Sequence, residues 1–138
     1  MGELTSRDSG VFARALGVWC VIALAETVHG VLRGLFVTPV VGDLRARQIG
    51  VFVGAAIILL IARLFRRWTG AVTTRQQLAV GAGWVALMLL FEIGLGRLLG
   101  FSWNRILSDY DPSQGGLMLV GMGVLLLAPV LVARGRAR

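Results

Sequence analysis

The sequence predicts an all-α integral membrane protein, a four-helix transmembrane bundle. Three observations carry this. Of 138 residues, 57% are hydrophobic, and 19 glycines bring the apolar share to about 70%, against ~45–50% in a soluble domain. Mean hydropathy is +0.80. Four apolar stretches approach or exceed the ~20 residues that cross a ~30 Å hydrocarbon core, and none alternates as a barrel strand does. The same numbers exclude a disordered chain. A disulfide scaffold is excluded because Cys20 is the single cysteine.

The spans fall at residues 11–37, 48–65, 78–99 and 115–133, in one domain covering 1–138. Ser9 before Gly10 is an expected N-cap for the first helix, and Pro39 is expected to end it. Asp43 reads as the N-cap of the second, with Gly70 at its C-terminal end. Thr74 and Gln77 have capping-box spacing at the third helix. Asp111-Pro112-Ser113-Gln114 has it at the fourth, which makes Asp111 a cap and not a catalytic acid. Pro129 is expected to kink the fourth helix.

The net charge is +7, and all fourteen basic residues are Arg. They collect at span ends, where they meet lipid headgroups. Arg66-Arg67-Trp68 is a basic–aromatic anchor of that kind. No nucleic-acid motif accompanies them, so the bilayer is the expected partner and nucleic acid is not. Nine Arg (7, 14, 63, 66, 67, 75, 134, 136 and 138) flank the N-terminal side, the second connection and the C-terminal tail. Five (33, 45, 47, 97 and 105) lie on the opposite side. By the positive-inside rule both termini are expected in the cytoplasm of a bacterial inner membrane. Ala23-Leu24-Ala25 has the form of a signal-cleavage site. Apolar residues continue through Phe36, however, so the stretch reads as a span and not a leader.

Helices in lipid associate through small residues. Gly30-x-x-x-Gly34, Gly50-x-x-x-Gly54 and Gly96-x-x-x-Gly100 supply such faces on the first three helices. They serve packing within the chain, or a homodimer or larger membrane complex.

Ionisable residues inside the spans are the informative feature. The first helix carries Glu26, His29 and Arg33, spaced i, i+3, i+7 on one stripe. The third carries Glu92, with Arg97 further out. Such groups cost several kcal/mol in hydrocarbon and must face protein or water. Glu26 and Glu92 are placed on the same side of the midplane, so the expectation is a polar cavity between helices one and three. Arg45, Arg47, Arg97 and Arg105 are the expected anion or headgroup contacts on the outer side. Arg105 and Asp109 are spaced to pair on a short interfacial helix in the third connection.

The predicted function is movement of an ion, proton or small solute through Glu26, His29, Arg33 and Glu92. The alternative is a structural or accessory subunit whose ionic cluster only fixes packing. A third reading makes His29 and Glu26 a base and its orienter in a headgroup-modifying enzyme. No nucleophile elbow, P-loop or zinc-protease motif supports it, so no catalytic residue and no cofactor are assigned. Glu26-x-x-His29 is half of a di-metal motif that a dimer would complete. Arg33 one turn away argues against a cation, and no metal site is assigned. One deep Glu on the first of four short helices is similar to the layout of the small multidrug exporters. The helix count is similar to that of the small fluoride channels. Neither likeness extends to an aligned motif, so no residue role is taken from them.

Overall fold

The computed structural model describes residues 6–134, and every regular element among them is helical. Arg136 and Arg138, used above for orientation, lie outside the described residues. Helix α1 is Ser6–Leu32, a single π-helical turn follows at Arg33–Val37, and α2 is Thr38–Val41. Helix α3 is Asp43–Thr69, α4 is Thr74–Leu98 and α5 is the short Trp103–Ser108. A 3-10 turn at Pro112–Gln114 precedes α6, Met118–Arg134. The segment Asp8–Val41 and helices α3 and α4 are long and apolar enough to cross a membrane. Among the described residues α6 has 17 residues, a rise of about 26 Å.

The helix ends differ from the sequence reading in instructive ways. Helix α1 starts before Ser9, at Ser6. Pro39 does not end the first span: the chain stays helical to Val41. Proline cannot donate to the carbonyl four residues back and its ring crowds that carbonyl. The π turn immediately before absorbs this misfit by widening the helix, and Thr38 N–H donates back to the Arg33 carbonyl. Asp43 is the first residue of α3, and Gly42, at φ 88°, is the cap. The Asp43 carboxylate is thereby free for side-chain partners. Gly70 adopts the left-handed conformation, φ 75°, that closes α3.

The capping box of α4 lies one residue earlier than expected. Thr73 Oγ1 accepts from Gln76 N–H at 3.1 Å, and Gln76 Oε1 accepts from Thr73 N–H at 3.3 Å. Gln77 is instead buried, its Nε2 donating to the Ala71 carbonyl at 3.1 Å. Asp111 caps a 3-10 turn and not α6 itself. Its Oδ1 accepts from Ser113 N–H and Oγ, and Oδ2 from Gln114 Nε2. These bonds hold the Asp111 carboxyl below the usual carboxylate range.

Helix α6 packs between α3 and α4, while α1 packs mainly on α3 and more lightly on α4. The core stripe of α1 is Val11, Ala15, Val18 and Ile22, at helical spacing. It meets Val80, Trp84 and Met88 of α4, Ile58 and Ile61 of α3, and Leu125 of α6. Trp84 Nε1 donates to the Ala15 carbonyl at 2.9 Å inside this core. Trp19 meets Phe91 edge to face, centroids 5.9 Å apart. Pro129 lies buried within α6. The end of α6 is tied to α3 by Arg66, whose Nη1 donates to the Val132 carbonyl at 3.2 Å. That satisfies one of the four carbonyls a helix end leaves open.

The α4–α6 contact is backbone against backbone at Gly81, where a Cβ would overlap the Leu126 carbonyl oxygen. Gly83, two residues on, faces open space. Gly81→Ala is therefore expected to force the helices apart and lower stability by about 1–3 kcal/mol, the usual overpacking cost. Gly83→Ala should be neutral or slightly stabilising, because alanine favours helix over glycine. Thermal unfolding of both variants in detergent checks the contrast, and equal melting temperatures would contradict this packing. Thr73→Ala removes the reciprocal cap of α4 and should cost about 1 kcal/mol, read in the same assay.

Candidate functional site

Glu26 and His29 of α1, and Arg33 at the start of the π turn, project toward α3. The surface that receives them is made by two glycines one turn apart. A Cβ at Gly54 would stand 2.7 Å from Glu26 Oε2. A Cβ at Gly50 would stand 3.0 Å from Arg33 Cδ and 3.6 Å from His29 Cε1. Gly50 and Gly54 are both buried. The missing side chains are what let the polar stripe lie flat against the neighbouring helix. His29 Nδ1 is 3.7 Å from Glu26 Oε2, and both side chains are largely withdrawn from the surface. Glu26 Oε1 is buried without a hydrogen-bond partner.

Glu92 on α4 completes the charge cluster electrostatically. Its charge and that of Arg33 both bear on Glu26. Arg33 and Asp109 in turn bear on Glu92. Among the described residues no ion pair within 4 Å joins Arg33 to either glutamate. Glu26, His29, Arg33 and Glu92 are thus linked electrostatically through Arg33, but the face that receives Glu26, His29 and Arg33 is that of the second span. Helices α1 and α4 touch at Ala15–Trp84 and Trp19–Phe91. Two surface hollows lie near Arg66 at the opposite end, and neither is lined by Glu26, His29, Arg33 or Glu92.

Above the cluster lies a ring of four charges. Arg47 Nε meets Asp43 Oδ2 at 3.0 Å, and Arg47 Nη1 meets Asp109 Oδ1. Arg105 Nη2 meets Asp43 Oδ2 at 3.4 Å, and Arg105 Nη1 meets Asp109 Oδ2 at 3.5 Å. Two arginines and two aspartates cancel. The ring ties the start of α3 to α5, and Gln48 Nε2 adds a bond to the Gly115 carbonyl at 2.9 Å. Gly116 sits so close to the Ser108 and Asp109 carbonyls that a Cβ would overlap both. Of the arginines read as anion contacts, Arg47 and Arg105 are thus occupied by carboxylates. Arg97 is exposed, stacked over Trp103 at 5.0 Å and bonded to the Phe101 carbonyl. Arg45 is exposed in the first turn of α3.

Tyr110 packs against the core, within electrostatic reach of Glu92 of the cluster and Asp109 of the ring. Its hydroxyl is buried without a hydrogen-bond partner. Burial pushes it up to about 12, with the Glu92 and Asp109 carboxylates adding to the effect. It therefore stays a neutral phenol with an unused donor. Asp43, Tyr110 and the glycine seat were not among the sequence-derived site residues. Gly50-x-x-x-Gly54 was visible as a small-residue face, but nothing in it announced a polar occupant. Among the described residues no group of three or more His, Cys, Asp or Glu is arranged to hold a metal ion.

No family model matches the chain, and no solved structure matches it. A curated relative does. The "Putative manganese efflux pump MntP" of Halalkalibacterium halodurans is 30% identical over 132 residues, covering 93% of this chain and 68% of that protein. That extent of identity, on an all-helical chain with three membrane-length apolar helices, places the protein: it belongs to the MntP family of membrane transporters.

Proposed function

We propose that this chain moves a small divalent cation of the manganese class outward across the bacterial inner membrane, with both termini cytoplasmic. Glu26 and Glu92 are the groups that take the ion, and Arg33 is their counter-charge. The ion and the direction are those named for the Halalkalibacterium halodurans relative.

The observation that carries the reading is the charge balance. Asp43, Asp109, Arg47 and Arg105 neutralise one another in the outer ring. Below it, two carboxylates face one guanidinium, so with Glu26 and Glu92 both ionised and His29 neutral the cluster carries one uncompensated negative charge. A site of that sign attracts a cation and repels an anion. Carboxylate oxygens and water suit manganese, and Glu26 Oε1 is a buried carboxylate oxygen without a hydrogen-bond partner. A sparse donor set also suits transport, which requires that an ion bind well enough to enter and weakly enough to leave.

Protons and metal ions compete for the same carboxylate oxygens. A glutamate that releases a proton when it takes the cation would couple the two movements. That supplies a driving force without a nucleotide, for which the sequence has no P-loop. The outer ring must open, or rearrange, for the ion to leave.

In proteoliposomes loaded with Mn²⁺, the wild-type chain should show flux that rises with an opposing proton gradient. Glu26→Gln should reduce it at least tenfold, and Glu26→Asp should retain part of it. Wild-type flux in Glu26→Gln overturns the assignment. Absence of flux in the wild type returns the chain to the role of a structural subunit. Gly54→Ala, which pushes on Glu26 without touching a charge, should also lower the flux, whereas Gly94→Ala, facing open space, should not.

A further inference from the structure

A second feature lies at the end of the bundle opposite the cation cluster. Between α3 and α6 lies an open groove of about 370 Å³, lined by Leu59, Leu60, Arg63, Arg66, Leu131 and Val132. Its two arginines sit at one end, i and i+3 on one face of α3. Its apolar wall extends about 10 Å from Arg66 back to Leu59, at 1.5 Å per residue. Leu60 and Leu131 are 57% and 45% exposed, so the wall is open from the side. We propose that this groove binds one anionic phospholipid, its phosphate held by Arg63 and Arg66 and its acyl chain laid along Leu59, Leu60 and Leu131.

Charge complementarity argues for an anionic lipid over a neutral one. Among the described residues no carboxylate pairs with Arg63 or Arg66. Arg63 is exposed. Arg66 spends one donor on the Val132 carbonyl, and a guanidinium has four more N–H groups in a fixed fork that matches phosphate. Arg67 and Trp68 follow on the next turn, both exposed, an arrangement that marks the headgroup level. The bond from Arg66 to Val132 also fixes the guanidinium where both helices can present it. Ordering of that side chain is therefore complete before a phosphate arrives, which reduces the entropic cost of binding. The arginines on the opposite side, Arg47 and Arg105, offer no such site because carboxylates already hold them. The proposal stands apart from the cation pathway, and either can fail alone.

The test uses the full chain in detergent, with thermal unfolding measured against added phosphatidylglycerol, phosphatidylcholine or inorganic phosphate. Phosphatidylglycerol should raise the melting temperature more than phosphatidylcholine, and inorganic phosphate should not reproduce the rise. Arg63→Gln should weaken the apparent phosphatidylglycerol affinity about fivefold, as expected for one basic residue beside anionic headgroups. Leu60→Trp fills the groove without changing charge and should remove the increment while leaving the lipid-free melting temperature unchanged. Arg66 is left alone because its loss would also uncap α6. Equal stabilisation by both lipids overturns the proposal. So does an increment that survives Arg63→Gln, or one that inorganic phosphate alone provides. Should Leu60→Trp fail to fold, the exposed Arg63→Gln variant still decides the matter.

Discussion

An ionisable side chain in the hydrocarbon layer has to be covered by protein, and the cost of leaving it uncovered is several kcal/mol. The first span carries three such side chains on one stripe, two on α1 and Arg33 at the start of the π turn. Everything around them follows from that constraint. Helix α3 gives up two side chains, at Gly50 and Gly54, so that Glu26, His29 and Arg33 meet backbone instead of lipid. Ordinary core packing of α1, through Val11, Ala15, Val18 and Ile22, is confined to its other half. The helix is thus divided along its length: an apolar half that anchors the bundle and a polar half that the bundle has to shelter.

The two ends of the bundle solve different electrostatic problems. At the end that carries Asp43 and Asp109, arginines and aspartates are matched within the chain, and the matching binds the first turn of α3 to the α5 connection. At the other end, Arg63, Arg66 and Arg67 have no carboxylate partners among the described residues. An unpaired arginine at a membrane surface meets water or lipid phosphate. This asymmetry gives the Arg count used for orientation a physical content. What distinguishes the two sides is not only how many arginines they carry, but whether the chain neutralises them itself.

Long apolar runs were legible in the sequence because a bilayer fixes their length. Buried charges were legible because hydropathy makes them conspicuous. Helix ends were less so. Thr73 and Thr74 are adjacent and chemically alike, and Gln76 and Gln77 likewise, so the box could be read one residue late. Pro39 was read as a stop, since proline normally breaks a helix. The π turn at Arg33–Val37 accommodates it instead, and no composition rule signals that remedy. The partner of the polar stripe was not legible either. Deciding between α3 and α4 requires the antiparallel register of α1 and α3, in which Glu26 meets Gly54 and Arg33 meets Gly50. Spacing on one helix cannot give a register between two. The ring shows the same limit: Arg105–Asp109 was visible as an i, i+4 pair, whereas Arg47–Asp109 spans 62 positions.

Arg33 is the residue on which the proposed transport chemistry turns. A bare pair of glutamates near one another would repel and hold a proton or a metal too firmly to release it. A guanidinium within electrostatic reach of both, but paired closely with neither, weakens that grip without removing it. Arg33 also opens the π turn, an irregularity that recurs at functional sites in helices. Its carbonyl accepts from Thr38 N–H, so its position is coupled to the segment that Pro39 disturbs. A change in that turn would move Arg33 relative to Glu26 and Glu92, altering the charge they feel by geometry alone. In the proposed transport, that one helix turn beneath the ring that ties α3 to α5 governs loading and release.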